Sequence, residues 1–300
     1  MEVLIFQEII YPMLAAMVIA FFTVMGGVSG AFLLMPYQIS ILNILTPAAS
    51  ATNHIYNLIA IPGGLIRFIQ EKRMIWPLSL IIVAGTLPGV VLGAFIRVNY
   101  LKRIDHFKYF VGIVLLYICF KLIHNLVQQV KLKKNEESGL KSGKKSSANQ
   151  SDFQLKAVRF SRYRIQFTYQ HRDYHASILQ LSGLSLVIGT IGGIYGIGGG
   201  SIMAPLLVSY FGLPVHIIAG AALFSTFITS ITGVLSFQVL AYYFPTQLIS
   251  PNWSLGISFG IGGMIGSYFG AKLQKKIPEI WIKLILIFCI LFPAVNYLVQ

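Results

Sequence analysis

The chain has 300 residues, is 56% hydrophobic and 11% charged, and carries a formal net charge of +14; its mean hydropathy is +0.74. A water-soluble domain carries about 25% charged residues, so lipid is the solvent that fits this composition. The basic balance, with a pI near 9.8, would suit nucleic acid. Here, however, Lys and Arg fall in the gaps between apolar segments and in one central polar stretch, the arrangement expected opposite anionic headgroups.

No Asp, Glu, Lys or Arg occurs from Ile9 to Ile66, from Met74 to Ile96, or from Tyr174 to Ala271. A membrane-crossing helix needs about 20 apolar residues, and a charge at mid-bilayer costs about 2.5–3.5 kcal/mol. The pattern predicts eight apolar segments, at 4–35, 47–69, 76–97, 107–128, 177–211, 214–243, 252–273 and 279–299. Met1, Glu2 and Glu8 lack the basic start and small-residue cleavage site of a removed leader, so segment one reads as a membrane helix. The first and fifth segments are too long for one span and carry glycine clusters. Each predicts two half-helices or a re-entrant element. Cys119 and Cys289 lie inside apolar runs and read as small hydrophobes, not a disulfide framework.

Residues 131–175 differ in kind. Lys131 to Gln150 is rich in Lys, Ser, Asn and Glu and predicts a flexible linker. From Phe153 to Tyr174, Val158, Phe160, Tyr163, Ile165, Phe167 and Tyr169 alternate with Arg159, Arg162, Arg164 and Gln166. Period two predicts one or two short strands, a β-hairpin at the membrane surface. Basic residues also follow segment two (Arg67, Lys72, Arg73), segment three (Lys102, Arg103, Lys108) and segment seven (Lys272, Lys275, Lys276). Simple alternation cannot place all of these on one side. Either a segment is re-entrant or the long linker escapes the rule.

The flanking halves repeat one another. Gly27, Gly30 and Pro36 match Gly196, Gly199 and Pro205 at an offset of 169, as Gly64 matches Gly233. Gly85, Gly89, Gly93 and Ala94 match Gly262, Gly266, Gly270 and Ala271 at an offset of 177. Internal duplication is a property of transporter folds, with binding at the repeat interface. The glycines spaced four apart predict close helix packing.

The clusters Gly26-Gly27-Val28-Ser29-Gly30 and Gly192-Gly193-Ile194-Tyr195-Gly196-Ile197-Gly198-Gly199-Gly200-Ser201 predict something else. Each glycine costs a helix about 1 kcal/mol against Ala, so these stretches open locally. Amides freed inside hydrocarbon need partners, and a helix N-terminus favours an anion. No Lys-Ser or Lys-Thr follows either cluster, which argues against nucleotide binding. Thr52, Asn53, His54 and Asn57 follow the first cluster; Ser225, Thr226, Thr229, Ser230 and Thr232 follow the second, with Asn57 opposite Thr226 at the 169 offset. Neutral donors grip an oxyanion without burying a charge; they also bond neighbouring helices. His54 reads equally as a proton relay or a helix contact. The membrane runs hold no carboxylate pair, no metal-like His/Cys spacing and no Gly-x-Ser-x-Gly elbow. His171 and His175 lie at the polar edge beside Arg172 and Asp173.

The run Gly196-Ile197-Gly198-Gly199-Gly200-Ser201-Ile202-Met203-Ala204-Pro205 resembles the glycine-rich signature of the TauE/SafE sulfite exporter family. Phe211-Gly212-Leu213-Pro214-Val215-His216-Ile217-Ile218-Ala219-Gly220 resembles that family's next turn and helix start. Gly27 to Pro36, then Pro47 to Thr52, is similar to a first-half copy. Two departures stand out: Val28-Ser29-Gly30-Ala31 replaces a fuller glycine run, and Ala221 stands where the family has Thr. The resemblance implies ATP-independent transport, often export, of sulfite or organosulfur anions.

Together these readings predict an all-α integral membrane protein of about eight transmembrane segments. Two homologous four-segment repeats with broken helices, 1–130 and 176–300, flank the linker at 131–175. The expected substrate-binding residues are Gly27, Gly30, Thr52, Asn53, His54, Asn57, Gly196, Gly198, Gly199, Gly200, Ser201, Ser225, Thr226 and Thr229. No catalytic residue, metal or cofactor is expected. Expected partners are a small anionic solute and membrane lipid, with a homodimer left open and no nucleic acid; the expected location is the cell membrane, multi-pass. The competing reading is a non-transporting scaffold, with side chains filling the gap between the repeats.

Overall fold

Uncharged apolar runs become helices because hydrocarbon offers a free amide no partner. In a computed structural model, residues 9–25, 29–70, 74–138, 155–160, 164–169, 172–200, 202–203, 206–207, 215–273 and 279–299 are described. The first run gives α1 (Tyr11–Met25) and α2 (Ala31–Ser40); Ser29 and Gly30 before α2 are non-helical, and residues 26–28 of the predicted interruption lie outside the described residues. Next come α3 (Ala48–Ala60), α4 (Pro62–Gln70), α5 (Trp76–Asn99) and α6 (Ile104–Ser138). The second half holds α7 (Ile178–Tyr195), α8 (Val215–Tyr243), α9 (Trp253–Leu273) and α10 (Glu279–Val299). Among the described residues, Trp76–Asn99, Ile178–Tyr195 and Gly220–Tyr243 are long and apolar enough to cross a membrane.

Two predictions are revised by this structure. α6 runs on to Ser138, so residues 131–138 are helical where a flexible linker was expected. Leu, Lys and Glu are strong helix formers, and an established helix extends readily through them into water. The alternating stretch forms three strands, not one or two: β1 (Leu155–Phe160), β2 (Arg164–Tyr169) and β3 (Arg172–Ser177). They pair antiparallel in sequence order, with Val158 opposite Phe167 and Phe167 opposite Tyr174. The extra strand continues through His175 and joins the sheet directly to α7.

Glycines spaced four apart set the helix pairing. Gly85, Gly89 and Gly93 of α5 lie against the α7 backbone at Ser182, Leu186 and Thr190; a Cβ on Gly89 would stand 2.8 Å from the Thr190 amide nitrogen. Gly189 and Gly193 of α7 lie in turn against Thr86 and Val90. Gly262, Gly266 and Gly270 of α9 meet the carbonyls of Met13, Met17 and Phe21 on α1. Without a hydrophobic drive between helices in lipid, close backbone approach of this kind supplies the packing energy.

These contacts also fix direction. Residue numbers rise together along α5 and α7, along α1 and α9, and along α3 and α9, where Gly256 and Gly260 meet Ile55 and Ile59. They run oppositely along α3–α4 and α8, where Gly233 meets His54 and Gly64 meets Leu223. The C-terminal ends of α4 and α9 therefore share one face, and Lys102 and Arg103 after α5 lie on the other. The sequence left this open because the faces depend on which helices pair.

Candidate functional site

Ala49 to Asn57 of α3 are all buried. A helix enclosed on every side must find partners inside the protein for each polar group it carries. Asn53 donates to the carbonyl of Ala31, at the start of α2, at 3.2 Å, and accepts from Gln38 Nε2 at 2.8 Å. One turn further along, Asn57 donates to the carbonyl of Gly196 at 3.4 Å. A single face of α3 thus holds both helix interruptions.

The second interruption is shaped by its glycines. Gly196 ends α7 in the left-handed region, φ 84°, and Gly198 repeats it at φ 72°. Such angles cost residues with a Cβ about 1–2 kcal/mol. The amides of Gly196 and Ile197 both return to the Gly192 carbonyl, at 2.8 and 3.1 Å. Side chains of other helices take further groups. Ser50 donates to the Ile194 carbonyl at 2.8 Å, and the Gly199 amide donates to Thr229 Oγ1 at 3.1 Å. A Cβ at Gly200 would collide with the Ala222 carbonyl, and one at Gly196 with the Ser50 carbonyl. The sequence reading expected an open, cavity-lining backbone here. In this conformation the break is closed by Ser50, Thr226 and Thr229.

At the first interruption the described edge is Ser29 and Gly30. A Cβ at Gly30 would run into the Tyr56 hydroxyl. Within α2, Pro36 has no amide, which leaves the Phe32 carbonyl without a helical donor. Tyr195, the last residue of α7, donates its hydroxyl there at 2.9 Å. The second interruption thus takes Ser50 and Asn57 from the first half, and α2 takes Tyr195 from the second.

The predicted residues do not all converge. Asn53, Asn57, Gly196, Gly198, Gly199, Gly200, Thr226 and Thr229 gather at α3, α7 and α8. Ser225 lies beside them and bonds Thr86 at 3.1 Å. His54 reaches Ser230 through Nδ1 at 3.5 Å, its ring seated in the notch left by Gly233. Thr52 turns away. Its hydroxyl accepts the Asn252 amide at 2.9 Å, while the Asn252 side chain caps α9 through the Leu255 amide at 3.0 Å. Gly27 and Ser201 lie outside the described residues. Sequence reasoning missed Gln38, Thr86 and Tyr195. The proline inside α2 was the available signal for Tyr195, because the carbonyl four residues before it demands an outside donor.

Three buried atoms among these groups have no partner among the described residues: Gln38 Oε1, Asn57 Oδ1 and His54 Nε2. The amide orientations follow from the backbone, since turning Asn53 or Asn57 over would set oxygen against the Ala31 or Gly196 carbonyl. An unsatisfied buried polar atom costs about 1–3 kcal/mol. The closed arrangement therefore retains unmet hydrogen-bonding capacity around Asn57, which water or a polar solute can fill.

A family model described as "Sulfite exporter TauE/SafE" matches residues 12–297. The "Probable membrane transporter protein YunE" of Bacillus subtilis is 24% identical over 214 residues, covering 71% of this chain and 67% of that protein. The "Probable membrane transporter protein MJ0441" of Methanocaldococcus jannaschii is 33% identical over 95 residues, covering 30% of this chain and 33% of that protein. No solved structure matches the chain.

Proposed function

The chain belongs to the TauE/SafE sulfite exporter family and is a membrane transporter, and on that premise we propose that it carries a small oxyanion, sulfite or an organosulfonate, out across the cell membrane without ATP hydrolysis. The reading includes eight spanning segments in two halves, 1–130 and 176–300. The helix directions support an inverted relation between the halves. The first helix of each half lies along the third-segment helix of the other: α1 beside α9, and α7 beside α5. Inverted repeats with interrupted helices at their interface are a recurrent carrier design. The excess of Lys and Arg around the linker and the ends of α4 and α9 favours that face as cytoplasmic.

One observation carries the mechanism: Asn53 and Asn57, one turn apart on α3, hold the Ala31 and Gly196 carbonyls of the two breaks. In our reading the substrate sits between them. Its oxygens take the Gly199 amide from Thr229, and the Thr226 hydroxyl turns to it from the Ala222 carbonyl. An exchange of one acceptor for another is nearly balanced in hydrogen bonds. Binding therefore opens the break at low cost, and no buried charge holds the anion in place. Movement of one half against the other then exposes the site to alternate faces.

Sulfite flux in proteoliposomes tests this. Asn57→Leu and Asn53→Leu are expected to lower flux about tenfold or more, the equivalent of one lost hydrogen bond to a charged ligand. Thr52→Val, which touches only the turn before α9, is expected to retain it. Wild-type flux in folded Asn57→Leu and Asn53→Leu proteins would refute the placement.

A further inference from the structure

Arg97 is the one charged side chain within the last turn of α5, and it is fully buried. Its guanidinium carbon lies 3.6 Å from the centre of the Phe107 ring, and Nη1 donates to the Leu101 carbonyl. Among the described residues, Nε and Nη2 have no partner. Those two nitrogens form one edge of the guanidinium plane, the edge that grips two oxygens of a carboxylate, phosphate or sulfur oxyanion side by side. A stacked ring and one carbonyl do not replace the hydration of a buried cation. Nor does a nearby acid supply the balance among the described residues. The runs Met74–Ile96 and Tyr174–Ala271 contain none, and Asp105 is 60% exposed and bonded to Arg103 at 3.5 Å.

A simpler role is a brace, since a basic residue near a helix C-terminus meets the carbonyl end of the dipole. That role is served by Nη1 alone and leaves the opposite edge unexplained. The edge is also fixed in place: Phe107 supports the plane and Leu101 sets its rotation. Ala94 and Val98, on either side of Arg97, pack with Ala51 in the first turn of α3. Arg97 therefore lies at the membrane face where α3 begins, about two turns of α3 short of Asn57.

We propose that Arg97 is a second oxyanion site, at one face of the membrane, in which the Nε–Nη2 edge binds two oxygens of a sulfite-like anion or of a lipid phosphate. It is separate from the asparagine-held centre and needs none of its residues. For a travelling anion it is a station on one side only, which makes access to the deeper site unequal from the two faces.

The test is the thermal stability of the purified full-length protein, titrated with sodium sulfite at constant ionic strength against chloride. It is run in the wild type and in an Asn57→Leu background that disables the centre. A saturable rise with sulfite is expected in both; in the Asn57→Leu background the midpoint is at least tenfold higher with Arg97→Lys, which keeps the charge and loses the edge, and no rise remains with Arg97→Gln. The lipid source is read separately, by exchanging phosphatidylcholine for phosphatidylglycerol vesicles without sulfite. A phosphatidylglycerol shift that Arg97→Lys abolishes assigns the site to headgroup phosphate. Should the Arg97 variants not fold, the nitrogen-15 arginine Nε signals of the wild type serve instead, one protected signal being expected to move with sulfite or phosphatidylglycerol. Unchanged sulfite midpoints and lipid shifts in Arg97→Lys, or an Nε spectrum that neither ligand moves, overturn the site. If the central reading fails instead, Asn57→Leu matches the wild type throughout while the Arg97 dependence persists.

Discussion

Thr229→Val offers a sharp probe of the closed second interruption. Valine keeps the shape of threonine and removes only the hydroxyl. That hydroxyl accepts the Gly199 amide at 3.1 Å and donates to the Ser225 carbonyl at 2.6 Å. The carbonyl keeps its helical amide, so the chief loss is at Gly199, whose buried N–H is left without an acceptor. Such a group costs about 1–3 kcal/mol, which sets the expected loss of thermal stability in the ligand-free protein. If a substrate oxygen satisfies the same amide, that cost is absent from the bound state. The anion should then bind about 5- to 150-fold more tightly, the same interval expressed as an equilibrium constant. Melting curves without ligand and a sulfite titration of the same sample give both numbers. A destabilised Thr229→Val protein whose sulfite affinity is unchanged or weaker would show that the Gly199 amide never meets the substrate.

Other expectations concern the frame. Gly89→Ala places a Cβ against the α7 backbone and is expected to destabilise the protein by about 1–3 kcal/mol. Gly63→Ala, with nothing within 4 Å, is expected to be neutral or to stabilise by up to about 1 kcal/mol; thermal unfolding of the pair separates packing from propensity. Tyr195→Phe strands the Phe32 carbonyl at a cost of about 1–3 kcal/mol. Pro36→Ala restores the amide that carbonyl lacks, so a double-mutant cycle should show most of that loss removed. Gly196→Ala combines a left-handed backbone with a collision at Ser50, and should lower the melting temperature more than Gly63→Ala raises it.

Much of the frame was legible in the chain. Charges cannot sit in oil, so the positions lacking them mark the helices, and glycines one turn apart mark where helices touch. The second break was legible too, since each glycine clustered at 196–200 weakens a helix by about 1 kcal/mol. What fills the breaks was not. Gln38 meets Asn53 across 15 residues, and Tyr195 meets Phe32 across 163. Such pairings depend on which helices become neighbours, and no local period encodes that. The partner of Thr52 was hidden for the same reason. It resembles its polar neighbours in sequence, yet its hydroxyl serves the loop before α9 and not the centre. Arg97 was passed over because it stands at the edge of an apolar run, where a basic residue ordinarily reaches out toward headgroups.

The placement of two asparagines on one rigid turn has a mechanical consequence. A turn of helix rises only about 5.4 Å, too short to stretch between anchors that shift separately. A displacement that slackens the grip of Asn57 on one chain interruption must tilt or slide Asn53 against the other. In the proposed transport cycle the two breaks are thereby geared together through α3, a linkage that would oppose a continuous leak through the bilayer.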